Sequence, residues 1–312
     1  MPELTALEYY QNQGPLFLKK IHNIQNDGYF SNKLVITPDG NKTLTYRSNL
    51  VFWDLETDEN TLLNDINHPC FAADISRDGK WALTSDIKTI TLWDLVERKS
   101  VKTIASPKCY KIIIRPDMQM FAAVFDSQLE IYDLPSMQII KEISARSSLY
   151  TFSCTPDFKT AVWFYNNCLV VYDLETDKIM KMIPGKGMLD VDNTMISSDK
   201  SKVLDFRYHK LNFLWDIQKG ELIGKIGDCI TDVTPDFILA IAGYDAQGEL
   251  FDLRRLERMG MYFKAKKIRN INIGSEMFIK DAKITSEGKK IVFLDHNSEL
   301  IVLAGDQVFN YQ

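Results

Sequence analysis

Histidine is scarce in this chain, four among 312 residues, and His22, His68, His209 and His296 lie too far apart to make a short-range metal-ligand pattern. The five cysteines (Cys70, Cys109, Cys154, Cys168 and Cys229) are an odd set with no CxxC pair, which argues against a disulfide framework. They read as reduced thiols serving as small apolar side chains, with Cys154 and Cys168 in apparent strands and Cys70 and Cys109 at loop-to-strand junctions. No run approaches the roughly 20 apolar residues of a membrane helix. The opening "MPELTALEYYQNQ" has neither a basic leader nor a continuous apolar segment, so it is not a secretory signal. An excess of positive charge is also missing: the net charge of −5 argues against nucleic-acid binding by bulk electrostatics. A soluble, intracellular protein is expected, in the cytoplasm ahead of the nucleus.

Catalytic signatures are lacking too. "PGKGM" (184–188) has neither the spacing nor the Ser/Thr of a phosphate loop. "DVDNTMISSDKS" (190–201) begins like a calcium loop but puts Met195 where the glycine is needed and Ser201 where the bidentate Glu is needed. No G-x-S-x-G elbow occurs. The expectation is therefore no catalytic residue, no metal, no cofactor and no small-molecule substrate.

What is present is a repeat. Hydrophobic residues make up 45% of the chain, ample for a core. An aromatic-Asp-Leu-like triplet places aspartate at Asp54, Asp94, Asp133, Asp173, Asp216 and Asp252, with gaps of 40, 39, 40, 43 and 36. A turn-like marker runs in step: "TPDG" at Thr37, "SRDG" at Ser76, "RPDM" at Arg115, "TPDF" at Thr155, "SSDK" at Ser197, "TPDF" at Thr234 and "SEGK" at Ser286. Seven units of about forty residues result, the period of propeller blades.

Each marker has a physical role. In "TPDG", Thr37 precedes proline and is held extended, Pro38 presets φ, Asp39 can bond nearby backbone, and Gly40 accepts a φ other residues resist. The marker thus joins two strands. The triplet's aromatic (Trp53, Trp93, Tyr132, Tyr172, Trp215, Phe251) is expected to pack between neighbouring sheets, and its Asp to start the turn into a fourth strand.

These motifs resemble the WD40-repeat β-propellers. The likeness runs from about residue 16 onward, with the aromatic-Asp pair in six of seven units and the Ser-Pro-Asp-Gly-like turn in most. The Gly-His dipeptide that often opens a family repeat is absent, so the family's hydrogen-bonded tetrad is not carried over blade by blade. The resemblance implies an all-β, seven-bladed propeller of four-stranded antiparallel blades. It also implies one domain over 16–312. The preceding tail (1–15) reads as a frayed terminus or, alternatively, as a short helix with Leu4, Leu7 and Tyr10 on one side. Fourth strands read "SVKTI", "IIKEI", "IMKMI" and "LIGKI". "FLKKI" (17–21) has their form and is expected to close the last blade against "ELIVL" (299–303), with the tail "QVFNYQ" as competitor.

The implied function is a non-catalytic protein–protein interaction scaffold, a subunit or adaptor of a larger assembly. Its candidate residues sit where loops between second and third strands, and between fourth and first strands, share one end of the blades: Arg47, Lys88, Arg146, Tyr165, Arg207, Tyr208, His209, Tyr244 and Asp245. A second set comes from an insert. From the triplet Asp to the next turn's acid is 20 to 26 residues in blades one to five but 35 after Asp252. Between Arg254 and Lys280 the net charge is +6 (eight basic residues against Glu257 and Glu276), so the remainder carries −11. Arg254, Arg255, Arg258, Lys266, Lys267 and Arg269 are read as a solvated long turn or, alternatively, as a site that meets an acidic protein surface. Two alternatives stand beside this: an anionic-surface binder (phosphoinositide membrane or nucleic acid) acting through 254–280, and a propeller enzyme with no identifiable site.

Overall fold

The computed structural model describes residues 17–21, 31–63, 69–145, 148–185, 191–207, 211–228, 230–244, 247–259, 262–272, 279–297 and 299–304. The fold is an all-β, seven-bladed propeller of four-stranded antiparallel blades. By packing, the chain divides into two compact units, residues 1–65 with 226–312 and residues 66–225. No described helix is long and apolar enough to cross a membrane.

The second unit holds four consecutive blades, save the end of the last strand, which runs past Lys225. Blade 2 runs β6 (Ala72–Ile75), β7 (Trp81–Ser85), β8 (Thr89–Asp94), β9 (Lys99–Ala105), and blade 3 runs β10 (Lys111–Ile114), β11 (Met120–Val124), β12 (Gln128–Asp133), β13 (Gln138–Ser144). Blade 4 runs β14 (Ser153–Cys154), β15 (Thr160–Tyr165), β16 (Cys168–Asp173), β17 (Lys178–Pro184), and blade 5 runs β18 (Asn193–Ile196), β19 (Lys202–Phe206), β20 (Leu211–Asp216), β21 (Glu221–Asp228). In the first unit, blade 1 runs β2 (Ser31–Ile36), β3 (Lys42–Arg47), β4 (Val51–Asp54), β5 (Glu59–Leu62). Blade 6 contains β22 (Ile230–Val233), β23 (Leu239–Tyr244), β24 (Gln247–Met259) and β25 (Tyr262–Asn272). Blade 7 is ordered β26 (Ile279–Ile284), β27 (Lys290–Asp295), β28 (Leu300–Ala304) and β1 (Phe17–Ile21), with Phe17 opposite Ala304 and Ile21 opposite Leu300.

The turn marker does what its chemistry dictates. In all seven blades the fourth turn residue donates its N–H to the first residue's carbonyl, from Gly40 to Thr37 through Gly288 to Thr285. That fourth residue has φ between 54° and 69° at Gly40, Gly79, Met118, Phe158, Lys200, Phe237 and Gly288 alike. Met, Phe and Lys therefore occupy a left-handed conformation that glycine takes at no steric cost. In six of the turns a hydroxyl at position one braces the loop, while in blade 3 Arg115 donates its Nε–H to Asp117 at 2.8 Å instead. Thr37 Oγ1 donates to Asp39 and accepts from the Lys42 N–H at 3.1 Å, and Thr155 and Thr234 repeat the pattern. In blade 7 this turn starts at Thr285, one residue before the Ser286 that the sequence pattern suggested.

The triplet Asp caps the next turn. Asp54 Oδ1 accepts from the N–H groups of Glu56 and Thr57, Asp94 from Val96 and Glu97, and Asp173 from Glu175 and Thr176. The triplet aromatic packs between sheets: Trp53 is fully buried with Leu34 and Val51 of its own blade against Val292, Leu300 and Val302 of blade 7. Trp215 lies likewise among Val162, Leu169 and Val171 of blade 4. Its indole N–H needs an acceptor once buried. Trp53 donates to Thr45 Oγ1 (2.9 Å), Trp93 to Thr84 Oγ1 (2.8 Å), and Trp215 to Asp205 Oδ2 (3.1 Å).

Blades are also stitched to their neighbours by polar bonds. Asp74 Oδ2 accepts from Ile114 N at 2.7 Å, Asp232 Oδ2 from Ile284 N at 3.0 Å, and Asp281 Oδ2 from Leu34 N at 3.0 Å, each carboxylate serving the next blade's innermost strand.

Candidate functional site

Within each blade the four-residue marker turn and the turn after the triplet Asp lie at one end, and the remaining connections lie at the other. The candidate residues thus fall into two groups. At the connection end, Arg47 closes β3 exposed to solvent, with φ of 139°. Lys88 is exposed in a turn built by Asp86, which accepts from the Lys88 and Thr89 N–H groups at 2.6 and 2.7 Å. Tyr165 ends β15 half-buried against the core shared by blades 3 and 4. Tyr244 ends β23. Arg146, Tyr208, His209 and Asp245 lie outside the described residues.

Arg207 is a correction. It was expected to face a partner, but it is buried, 7% exposed, and its Nε lies 3.2 Å from Oδ1 of the wholly buried Asp205. A second guanidinium nitrogen donates to Asp205 Oδ2 at 3.2 Å, and the guanidinium stacks 4.7 Å from the Phe213 ring centroid. Burial pushes the Asp205 carboxyl above the usual carboxylate range, and Arg207 and the Trp215 indole oppose that rise. Blades 1 and 2 have threonine where Asp205 stands. Blade 5 put a charge there, and Arg207 neutralises it.

The repeat also builds a feature that reading it for turns misses. Phe71, Tyr110 and Tyr150 each lie five positions before the first residue of their blade's marker turn (Ser76, Arg115 and Thr155), at the mouth of blades 2, 3 and 4. Lys108 joins the first two, its Nζ 4.3 Å from the Phe71 ring centroid and 4.9 Å from that of Tyr110. Tyr110 then meets Tyr150 edge-on, centroids 4.3 Å apart. Tyr150 is 50% exposed, and its hydrogen bond to Tyr110 pushes its phenol up to about 12, so the Tyr150 ring stays neutral at physiological pH. Beneath this row Lys111 Nζ bonds Phe152 O at 2.8 Å and Asn193 Oδ1 at 3.1 Å, tying blade 3 to blades 4 and 5. The signal was in the sequence as an aromatic recurring at one position in three successive repeats.

The second group occupies the opposite end of blade 6, and here too the structure corrects the expectation. The insert is not a solvated connection but two long strands, β24 and β25, which continue pairing from Leu256↔Ala265 to Met259↔Tyr262. Register breaks after Asp252↔Lys266, leaving Leu253, Arg254 and Arg255 as a bulge where other blades make their turn. Asp252 still caps, accepting from Arg254 N at 3.0 Å, but the chain runs on. Arg254, Arg255 and Arg258 therefore belong to β24, and Lys266, Lys267 and Arg269 to β25. Arg254, Lys266 and Lys267 are exposed, with Arg254 paired to Asp252 (3.3 Å) and Lys267 to Glu249 (2.9 Å).

Among the described residues no group of three or more His, Cys, Asp or Glu side chains could hold a metal ion. The carboxylates held below the usual pKa range are turn caps: Asp78, Asp117, Asp133, Asp157, Asp173 and Asp199 all accept hydrogen bonds from neighbouring backbone or side chains.

No protein-family model matches the chain, and no curated protein matches it. Solved structures do, 1746 chains in all. One of them, entitled "Structure of U3-55K", superposes with a TM-score of 0.74 over 92% of this chain and 98% of its own, at 12% identity. At that identity the likeness shows the seven-bladed fold alone.

Proposed function

We propose that the protein is a divergent WD40-type propeller that acts, without catalysis, as a binding scaffold for other proteins inside the cell. One observation carries this: the Phe71–Lys108–Tyr110–Tyr150 row at the connection end of blades 2 to 4. Rigid aromatic surface beside cations is the composition of interface hot spots, because large rings bury much area at low entropic cost. Neither Lys108 nor Lys88 is ion-paired with a carboxylate among the described residues, which favours a partner with an acidic surface. Many polar side chains elsewhere are engaged in turns and blade-to-blade bonds, which supports a rigid frame.

The test is capture of partners from a cell lysate by the immobilised full-length protein, wild type against Lys108→Ala with Tyr150→Ala. The variant should lose specific partners while its melting temperature holds within a few degrees. An unchanged set of captured proteins would overturn the assignment of this surface.

A further inference from the structure

We propose that the aromatic row of blades 2 to 4 binds an extended peptide of fixed charge order, with an acidic side chain at Lys88 and Lys108, an apolar one on Tyr150 and a basic one at Asp126. This rests on the protein-binding reading of the row and adds to it a polarity that the partner must match.

The polarity comes from the repeat. In blade 2 the Ser106 N–H donates to Lys88 O at 2.8 Å, and in blade 3 the Ala145 N–H donates to Ser127 O at 2.8 Å. Ile87-Lys88 and Asp126-Ser127 therefore occupy the same corner of successive blades, the turn between second and third strands. One corner presents an exposed cation and the other an exposed carboxylate. Lys108 stands with Lys88, because it follows two residues after Ser106. Asp126 stands with Tyr150, because its carbonyl accepts from the Leu149 N–H at 2.6 Å. Its negative charge also adds to the rise of the Tyr150 phenol that the Tyr110 bond begins. The row thus runs from positive, through aromatic, to negative.

These charges are open to a partner. Among the described residues Lys88, Lys108 and Asp126 form no ion pair. At the marker-turn end, by contrast, Arg115 pairs with Asp117 (2.7 Å), Lys159 with Glu175 (3.0 Å) and Lys200 with Asp157 (2.8 Å). Apolar surface accompanies the open charges, with Ile87 39% exposed beside Lys88 and Tyr150 half-exposed beside Asp126. A nucleic acid cannot satisfy both ends, because Asp126 repels its phosphates.

The spacing suits a short extended segment. Lys108 Nζ lies 4.9 Å from the Tyr110 centroid and that ring 4.3 Å from Tyr150. The cation and the exposed ring are therefore within about 9 Å, which two to three extended residues cover at about 3.3 Å each. The order across the row is an acid, an apolar residue two or three positions away, then a base. The apolar contact on Tyr150 supplies affinity, and the opposed charges fix the direction of the chain and reject wrong partners.

The experiment is selection of a displayed library of random twelve-residue peptides on the immobilised full-length protein, with sequencing of the bound pool. The wild type should enrich peptides that carry an acid and a base on opposite sides of an aromatic or aliphatic residue. Asp126→Lys should shift the pool to peptides acidic on both sides, and Lys88→Glu with Lys108→Glu to peptides basic on both sides. A synthetic peptide from the wild-type pool should bind Asp126→Lys about tenfold more weakly by fluorescence anisotropy. Melting temperatures within a few degrees of the parent keep loss of folding out of the comparison. No enrichment, or a pool that ignores charge order or stays the same with Asp126→Lys, would overturn the proposal and leave protein capture through Lys108 and Tyr150 standing. So would a wild-type pool of purely acidic peptides, or displacement of the selected peptide by a single-stranded oligonucleotide, either of which marks a polyanion site. Selected peptides that bind Lys108→Ala with Tyr150→Ala undiminished would sink both this proposal and the assignment of the row.

Discussion

Lys141 on β13 places its Nζ 2.5 Å from the carbonyl oxygen of Leu174, the residue after the capping Asp173 in the next blade, and 3.0 Å from Asp177. The arrangement recurs. Lys102 on β9 donates to Ser136 O at 2.6 Å, and Lys181 on β17 to Ile217 O and Gln218 O at 3.0 and 2.7 Å. In each case a β-bulge just before the lysine turns it toward the neighbour, as the register shifts opposite Val101, Ile140 and Met180 show. Those three bulged residues are more than half exposed, the consequence of aiming the lysine.

Removing one such lysine as Lys141→Met should cost about 1 kcal/mol, the net worth of one charge-assisted bond at a partly wet site. The three sites share no partners, so Lys102→Met, Lys141→Met and Lys181→Met should add to roughly 3 kcal/mol in urea unfolding. A triple variant as stable as the parent would show that the bonds are ornamental.

Arg207→Ala should destabilise by about 3 kcal/mol, because it strands the buried Asp205 carboxylate. The other blades suggest the rescue. Threonine satisfies the indole of Trp53 and Trp93, so Asp205→Thr combined with Arg207→Met should recover most of the loss. Thermal unfolding of the two variants decides it. Equal instability of single and double variants would mean that Arg207 matters through something other than Asp205.

Asp157 sets a pH dependence. Burial pushes its pKa up, but bonds from Lys200 (2.8 Å) and Thr155 outweigh that and bring it to about 2, against 3.8 for a free aspartate. The folded value is depressed, so its contribution to stability is complete above pH 3.8 and is lost as pH falls toward 2. Lys200→Met should therefore flatten the fall of the urea midpoint across that window and leave pH 7 little affected. An unaltered acid profile would remove Lys200 as the cause.

The thiols of Cys109 and Cys154 are both pushed up to about 12, chiefly by desolvation. Cys109 Sγ also donates to Lys111 O at 2.9 Å, as Cys70 Sγ does to Ala72 O at 3.3 Å. Neither Cys109 nor Cys154 should react with a thiol reagent at pH 8 until urea unfolds the chain. Mass spectrometry of the labelled sites gives the answer, and fast native labelling of Cys109 would contradict the packing.

Blade number, turns and triplet joints were legible because each repeats a local rule: a hydroxyl beside an aspartate, a residue tolerant of positive φ, an aromatic before a capping acid. Arg207 was misjudged because its partner Asp205 is two positions away, and an Asp-x-Arg pair on a strand looks the same exposed or buried. The hairpin was misjudged because extra residues after a capping Asp usually mean a longer turn, and alternation was hidden by the three-residue bulge at Leu253–Arg255. Lys102, Lys141 and Lys181 were visible as a repeated letter in the fourth strands. Their reach into the next blade depends on the bulge, which no single strand's pattern reveals.

The pairing of β1 with β28 sets the order in which the molecule can be finished. β28 is the last described strand to leave the ribosome, so the free edge that β1 must fill does not exist while the preceding blades are made. β1 waits throughout that time without its partner, and closure must bring together two of the most distant strands in the chain. Such non-local contacts fold slowly and leave unpaired strand edges exposed meanwhile. At high protein concentration the same edge can accept β1 from another copy, giving an exchanged dimer with every native bond intact. Assembly in the cell would then favour a chaperone that holds the early strand, or a synthesis rate slow enough for each copy to find its own.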